Sequence, residues 1–171
     1  GAGLVPPGGL AWGRRFLMCP PQHFGVLYEI NPWMSREVAV APDVAFEQWD
    51  GLVATLRAAG AEVVVMGPHP EVPDLVFTAN AGIVSGGQFV PSHFRHPERQ
   101  AETEIDAAWF DERGWVVDRL PDDLDHEGAG DALPFTPEGG RTVLLSGYSF
   151  RSDATAATRL SSLLGCPVRP V

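Results

Sequence analysis

Lysine is absent: all 12 basic residues of this 171-residue sequence are arginine, set against 22 acidic residues for a formal net charge of −10. That absence excludes a Schiff-base lysine, the lysine of a phosphate-binding loop and a serine–lysine dyad. The acidic balance argues against nucleic acid and anionic membranes as partners, because phosphate recognition rests on neutralising backbone charge with Lys and Arg. A small cationic or zwitterionic ligand fits it better. A base-composition bias accounts for the missing lysine more readily than function does. Cysteine is nearly absent too. Cys19 and Cys166 make neither a CxxC pair nor a disulfide framework, so a reducing, cytoplasmic setting is expected. No apolar run approaches the roughly 18 residues that span a bilayer, and a soluble chain is expected. The opening GAGLVPPGGLAWG has neither the basic nor the apolar region of a signal peptide, so residues 1–14 read as a flexible arm or an expression remnant.

What is present is a globular composition, 44% hydrophobic and 20% charged. A folded chain of this size hides roughly 70% of the surface it exposes when unfolded, so neither disulfides nor a structural metal is needed to hold it. The strongest pattern is internal repetition. A helix is expected from Pro42 to Ala59, with Val44, Trp49, Leu52, Val53 and Leu56 as its apolar stripe, then Gly60 and the β-branched run AEVVVM. The order returns from Pro97 to Arg113, with Ile105, Ala108 and Trp109 as the apolar face, then Gly114 and WVVDRL. It returns again from Asp153 to Leu164, then Gly165 and CPVRPV. The closing glycines lie 54 and 51 residues apart, where the residue after a helix favours a left-handed conformation. LVFTANAGIV with QFVPS, and DALPF with RTVLLSGYSF, read as paired strands around SGG and TPEGG. The fold class is therefore α/β, built of repeated ββαβ-like units that must pack side by side.

Polar residues gather at strand ends and turns: Asp74 and Asn80 in PDLVFTAN, Glu127 and Asp131 in HEGAGDAL, Arg95 and Arg99 in FRHPERQAE, Arg151 in SFRSD. Carboxylates and an amide converging from two repeats would make a pocket for a planar cation, with arginines gripping an anionic end. Each also has a structural reading: Asp74 as a turn cap, Asn80 as a partner for backbone groups, Glu127 as a solvated carboxylate. A metal is disfavoured, since HExxH is absent and His93 and His96, with Glu98 close by, fall on a turn before Pro97. Cys19, ending an apolar strand, and Cys166, before a proline, read as buried thiols rather than nucleophiles.

Five segments in order, FLMCPPQHFGVLYEINPWM, PDLVFTANAG, FRHPERQAETEI, HEGAGDAL and LLSGYSFRSDATA, resemble the dimethylarginine dimethylaminohydrolase and amidinotransferase-like group of the guanidine-modifying (pentein) superfamily, with arginine deiminase as a wider relative. The likeness runs from about Arg15 to Val171. It implies an α/β propeller, a ring of five ββαβ units of which residues 15–171 supply about the first three. The chemistry it implies is thiolate attack on a guanidinium carbon, loss of an amine, and hydrolysis of the thiouronium intermediate. A resonance-stabilised cation is a poor electrophile, so acidic groups must localise its charge while a histidine moves protons.

Carried over position by position, the resemblance puts Asp74 and Asn80 on the guanidinium, with Phe77 lining the pocket. Asn80 stands where many relatives have aspartate, and an amide brings an acceptor without charge, which counts against arginine-deiminase-like binding. Glu127 matches the acidic residue of an EGGD-type motif that holds a guanidinium nitrogen or orients the catalytic histidine. EGAGD is one residue longer, which keeps Asp131 as a second candidate. Arg151 matches the arginine that binds the substrate's carboxylate, and Arg95 is a further candidate for that work, with His93 where an arginine is expected. The family's histidine and nucleophilic cysteine lie beyond Val171, and none of the five histidines nor Cys19 or Cys166 matches them. The implied function is thus the N-terminal part of a hydrolase on arginine derivatives, inactive alone, without metal or cofactor, and completed by a missing C-terminal half or by self-association. An amidinotransferase or arginine deiminase relative is an alternative. Another, from a different class, is a non-catalytic module that assembles through an unfinished sheet edge.

Overall fold

The computed structural model describes residues 15–171; the arm expected over 1–14 lies outside them. The described chain divides into two compact units, residues 15–78 and 79–171.

In the first unit, β1 (Arg15–Met18) and β2 (Glu62–Val65) pair in parallel, with Arg15 opposite Glu62 and Met18 opposite Val65. Parallel neighbours need a crossover, and α1 (Pro42–Ala58) is the helix within it. Proline at its first turn has no N–H to waste, Asp43 and Arg57 complement the dipole at its two ends, and Gly60 follows at φ 84°. The buried face is narrower than the stripe in the sequence. Val53 is buried between half-buried Trp49 and Leu56. Val44 and Leu52 are half exposed, because at about 100° a residue Val44 falls opposite Val53.

The second unit shows the repeat plainly. β3 (Gly82–Ser85) and β4 (Gln88–Pro91) form an antiparallel hairpin, α2 (Pro97–Asp111) crosses over, and β5 (Val116–Val117) lies parallel to β4. Then β6 (Ala132–Phe135) and β7 (Val143–Ser146) form a second hairpin, α3 (Ala156–Leu164) crosses, and β8 (Val168–Pro170) lies parallel to β7. Strand order and direction are the same in both three-stranded sheets. Gly86 and Gly87, at φ 57° and 90°, make the two-residue turn of the first hairpin. A shared core of Ile83, Val90, Leu120, Ala132, Leu144, Leu160 and Cys166 joins the two repeats.

Three readings of the sequence are corrected. LVFTANAGIV is not a strand until Gly82: Pro73–Val76 and Thr78–Asn80 are 3₁₀ turns. Proline sets the backbone angle there, and the Phe77 N–H returns to the Asp74 carbonyl at 2.9 Å instead of joining a ladder. α3 starts at Ala156, not Asp153, since Asp153 is drawn into a side-chain network described below. The inner face of α2 is not Ile105, Ala108 and Trp109 but Arg99, Glu102, Asp106, Ala107 and Phe110. Phe110 stacks on Phe89 at 3.8 Å, and three charged residues at i, i+3 and i+7 occupy a face that hydrophobicity alone assigns to solvent.

Candidate functional site

Glu127 is the centre of the site in the second unit. It directly precedes the short turn Gly128–Gly130 and is 1% exposed. Its Oε2 lies 3.1 Å from Arg151 Nη1 and 3.8 Å from Arg99 Nη1, and Asn80 Nδ2 donates to it at 3.4 Å. Asn80 Nδ2 also reaches the Glu127 carbonyl at 3.4 Å. With its N–H groups spent on Glu127, the amide's remaining capacity is its oxygen, an acceptor suited to a guanidinium N–H. Burial pushes the Glu127 carboxyl above its ordinary range; Arg151 and Arg99 pull it down, and Asp131 pushes it up again.

Arg151 bridges the two acidic candidates, meeting Glu127 with one nitrogen and Asp131 Oδ1 with the other. Ser152 Oγ accepts the Glu127 N–H at 3.0 Å and donates to Asp131 Oδ2 at 2.6 Å. The extra residue of EGAGD is thereby absorbed: the Gly128–Gly130 turn brings Glu127 and Asp131 to the same arginine. Gly128 sits at φ 59° with its α-carbon against the Gly82 backbone, and a Cβ at Gly130 would strike the Asn80 amide. Side chains there would break the site's geometry.

Two participants were not assigned roles by motif. Arg99, 5% exposed, makes a bidentate pair with Glu102 at 2.8 and 2.7 Å and lies 4.4 Å over the Phe94 ring. One turn further, Asp106 is 1% exposed, its Oδ1 has no hydrogen-bond partner among the described residues, and burial beside Glu102 raises its pKa to about 8. His126, also buried, has its pKa lowered to about 4 by desolvation. It stays neutral, accepting the Gly128 N–H on Nδ1 at 3.0 Å and facing Ser146 Oγ through Nε2 at 3.1 Å. Arg99 is among the polar residues the sequence names; the signal for its burial and pairing is its spacing to Glu102 and Asp106. His126 offered none beyond adjacency to Glu127.

Arg95 is tied to Asp125 and Asp153, at 2.8 and 2.7 Å. Asp125 also takes His93 at 3.1 Å. Among the described residues no three His, Cys, Asp or Glu side chains converge as metal ligands, and no helix is long and apolar enough to cross a membrane. In the first unit Asp74 is buried in the Pro73–Val76 turn, and the Phe77 ring, 45% exposed, meets Phe24 edge-on at 5.5 Å. Cys19 is buried against the carbonyls of Pro20 and Gly67, and burial raises the Cys166 thiol above its ordinary value.

A family model for eukaryotic N,N dimethylarginine dimethylhydrolase matches residues 29–165. The bifunctional arginine dihydrolase/ornithine cyclodeaminase AgrE of Nostoc sp. is 46% identical over 155 residues, which are 90% of this chain and 22% of AgrE. The N(G),N(G)-dimethylarginine dimethylaminohydrolase of Mycobacterium tuberculosis is 38% identical over 157 residues, 91% of this chain and 49% of that protein. The N-terminal domain of the arginine dihydrolase ArgZ of cyanobacteria, solved as a cysteine-to-serine variant with substrate bound, superposes with a TM-score of 0.82 at 44% identity, covering 91% of this chain and 56% of that domain. The chain thus spans about half or less of these relatives' length. Its fold is that of the guanidine-modifying, pentein-type domains.

Proposed function

We propose, from the fact that this chain belongs to the N,N-dimethylarginine dimethylhydrolase family, that the complete protein hydrolyses the guanidinium group of arginine through a cysteine–histidine mechanism. Residues 15–171 would supply about three of the five propeller units, and the polypeptide beyond them the nucleophile and general acid. Arginine is favoured over its methylated forms because identity is higher to the arginine dihydrolase than to the dimethylargininase, 46% against 38%.

The observation that carries the reading is the Glu127 carboxylate, buried, held above its ordinary pKa and set against the Arg99 and Arg151 guanidinium groups and the Asn80 amide. A carboxylate so placed can receive a substrate guanidinium N–H, or hold the general-acid histidine, in a site where water competes poorly. Asn80 Oδ1 would accept from the same cation, and the family resemblance implies guanidinium-binding and pocket-lining roles for Asp74 and Phe77. Arg151 would take the substrate's α-carboxylate. Thiolate attack at the guanidinium carbon expels ammonia, protonated by the histidine, and the thiouronium is then opened by water. No metal or organic cofactor enters these steps.

The test is incubation of the full-length gene product with arginine and, separately, with asymmetric dimethylarginine, following ammonia, citrulline, ornithine and dimethylamine. Ammonia with citrulline or ornithine from arginine is expected. Dimethylamine release faster than ammonia release would move the assignment to methylarginines, and no product from either would overturn it.

A further inference from the structure

We propose that Arg95 is a positioning residue which fixes the loop carrying Arg151 and does not itself touch substrate. The proposal deepens the reading of Arg151 as the receiver of the substrate's carboxylate, and rests on it.

Four of the five N–H groups of Arg95 are committed within the protein. Nε donates to Asp125 Oδ2 at 2.8 Å and Nη2 to Asp153 Oδ1 at 2.7 Å. Nη1 donates to two successive carbonyls, Ser149 at 3.0 Å and Phe150 at 2.8 Å. The two aspartates are themselves cross-tied through the backbone: the Asp125 N–H donates to Asp153 Oδ2, and the Asp153 N–H to the Asp125 carbonyl, both at 2.9 Å. One guanidinium therefore fastens three segments together, its own after β4, the Asp125–Glu127 stretch, and both ends of the loop from Ser149 to Asp153.

Between the fastened ends stand the two residues that face the candidate site, Arg151 on Glu127 and Asp131, and Ser152 beneath Glu127 and Asp131. The loop needs the fastening. Ser149 is at φ 144°, the sole positive value at a non-glycine among the described residues, a conformation that persists where surrounding contacts over-determine it. Those contacts are Arg95 on the Ser149 carbonyl and the Ser152 carbonyl on the Ser149 N–H at 3.1 Å. Phe150, 87% exposed, contributes its carbonyl and no packing to the anchor. A lysine could not replace the clasp, since an ammonium lacks the planar fork that reaches two carboxylates and two carbonyls at once.

The experiment compares Arg95→Lys and Asp153→Asn in the full-length gene product by two readouts. The first is KM for arginine. Asp153 is an anion and cannot bind a carboxylate, so a rise in KM on Asp153→Asn reports loop position alone. Both variants are expected to raise KM about tenfold, within the loss that displacing a binding group by about 1 Å produces, and neither should raise it further in an Arg151→Ala background. The second readout is the rate of trypsin cleavage after Arg151, which needs no turnover and so separates this proposal from the proposed function. Cleavage is expected to quicken about tenfold in Asp153→Asn, as the clasped loop opens. Unchanged cleavage in Asp153→Asn overturns the clasp even in an active enzyme. A KM effect of Arg95→Lys without one from Asp153→Asn, or one that multiplies fully with Arg151→Ala, means that Arg95 contacts substrate directly and overturns the positioning role.

Discussion

Replacing Asp106 with asparagine should change not only the stability of the protein but the shape of its dependence on pH. Asp106 is 1% exposed, next to Glu102 and with an unpartnered Oδ1, and its pKa rises from 3.8 to about 8. The folded state therefore binds one more proton than the unfolded chain between these values. Unfolding free energy falls across that window by about 1.4 kcal/mol per pH unit, of order 5 kcal/mol in all. His126 acts in the opposite sense, since its pKa falls from 6.5 to about 4 and the unfolded chain binds the extra proton there. From about pH 4 to 6.5 the two slopes offset. Above that His126 no longer offsets Asp106, whose own contribution to stability should drop by about 2 kcal/mol on reaching pH 8. Asp106→Asn removes the Asp106 slope, so the variant should gain stability relative to the wild type steadily from about pH 4 to 8. Glu127, also raised, affects both proteins equally and cancels in their difference. Urea unfolding of the full-length protein and the variant at about pH 5, 6.5 and 8 reads that difference directly. A difference that does not grow with pH would mean that Asp106 ionises normally, and would refute its burial as a protonated acid.

Further outcomes follow from the same geometry. His126→Asn, whose Oδ1 can replace Nδ1 as acceptor for the Gly128 N–H, should keep more activity than His126→Ala, which orphans a buried donor at a cost of about 1–3 kcal/mol; kinetics and melting curves of the pair check this. Gly130→Ala should abolish productive turnover with little loss of fold, because its Cβ meets the Asn80 amide; circular dichroism beside an ammonia assay separates the two. Asn80→Asp puts a second negative charge about 3.4 Å from Glu127, so the Glu127 pKa and the acidic limb of the pH–rate profile should shift upward, and an unmoved limb would show the two groups uncoupled.

The parts of the fold written in local chemistry were legible. Pro42 and Pro97 mark the first turns of helices, and Gly60, Gly114 and Gly165 close them at φ 84°, 79° and 62°. The repeat is visible because each unit must end a helix the same way before its next strand. What failed was the assumption that apolar residues face inward. α2 buries Arg99 and Glu102 as a bidentate pair, with Asp106 a turn further on, and no single-residue hydropathy records pairing. The turns at 73–80 were misread for a related reason, since LVF has strand composition and only Asp74's return bond from Phe77 makes it a turn. The motifs named Asn80, Glu127 and Arg151, which do meet in the second unit. They also named Arg95 for the substrate's carboxylate, whereas its guanidinium lies among Asp125, Asp153 and two carbonyls.

The most direct test of the account is the value of kcat/KM for arginine in the full-length gene product and in its Glu127→Gln variant, with folding of both verified by circular dichroism. Glutamine keeps the shape and removes the charge. The account predicts turnover by the wild type and a loss of about a hundredfold or more in the folded variant. Equal activity of the two proteins would contradict it.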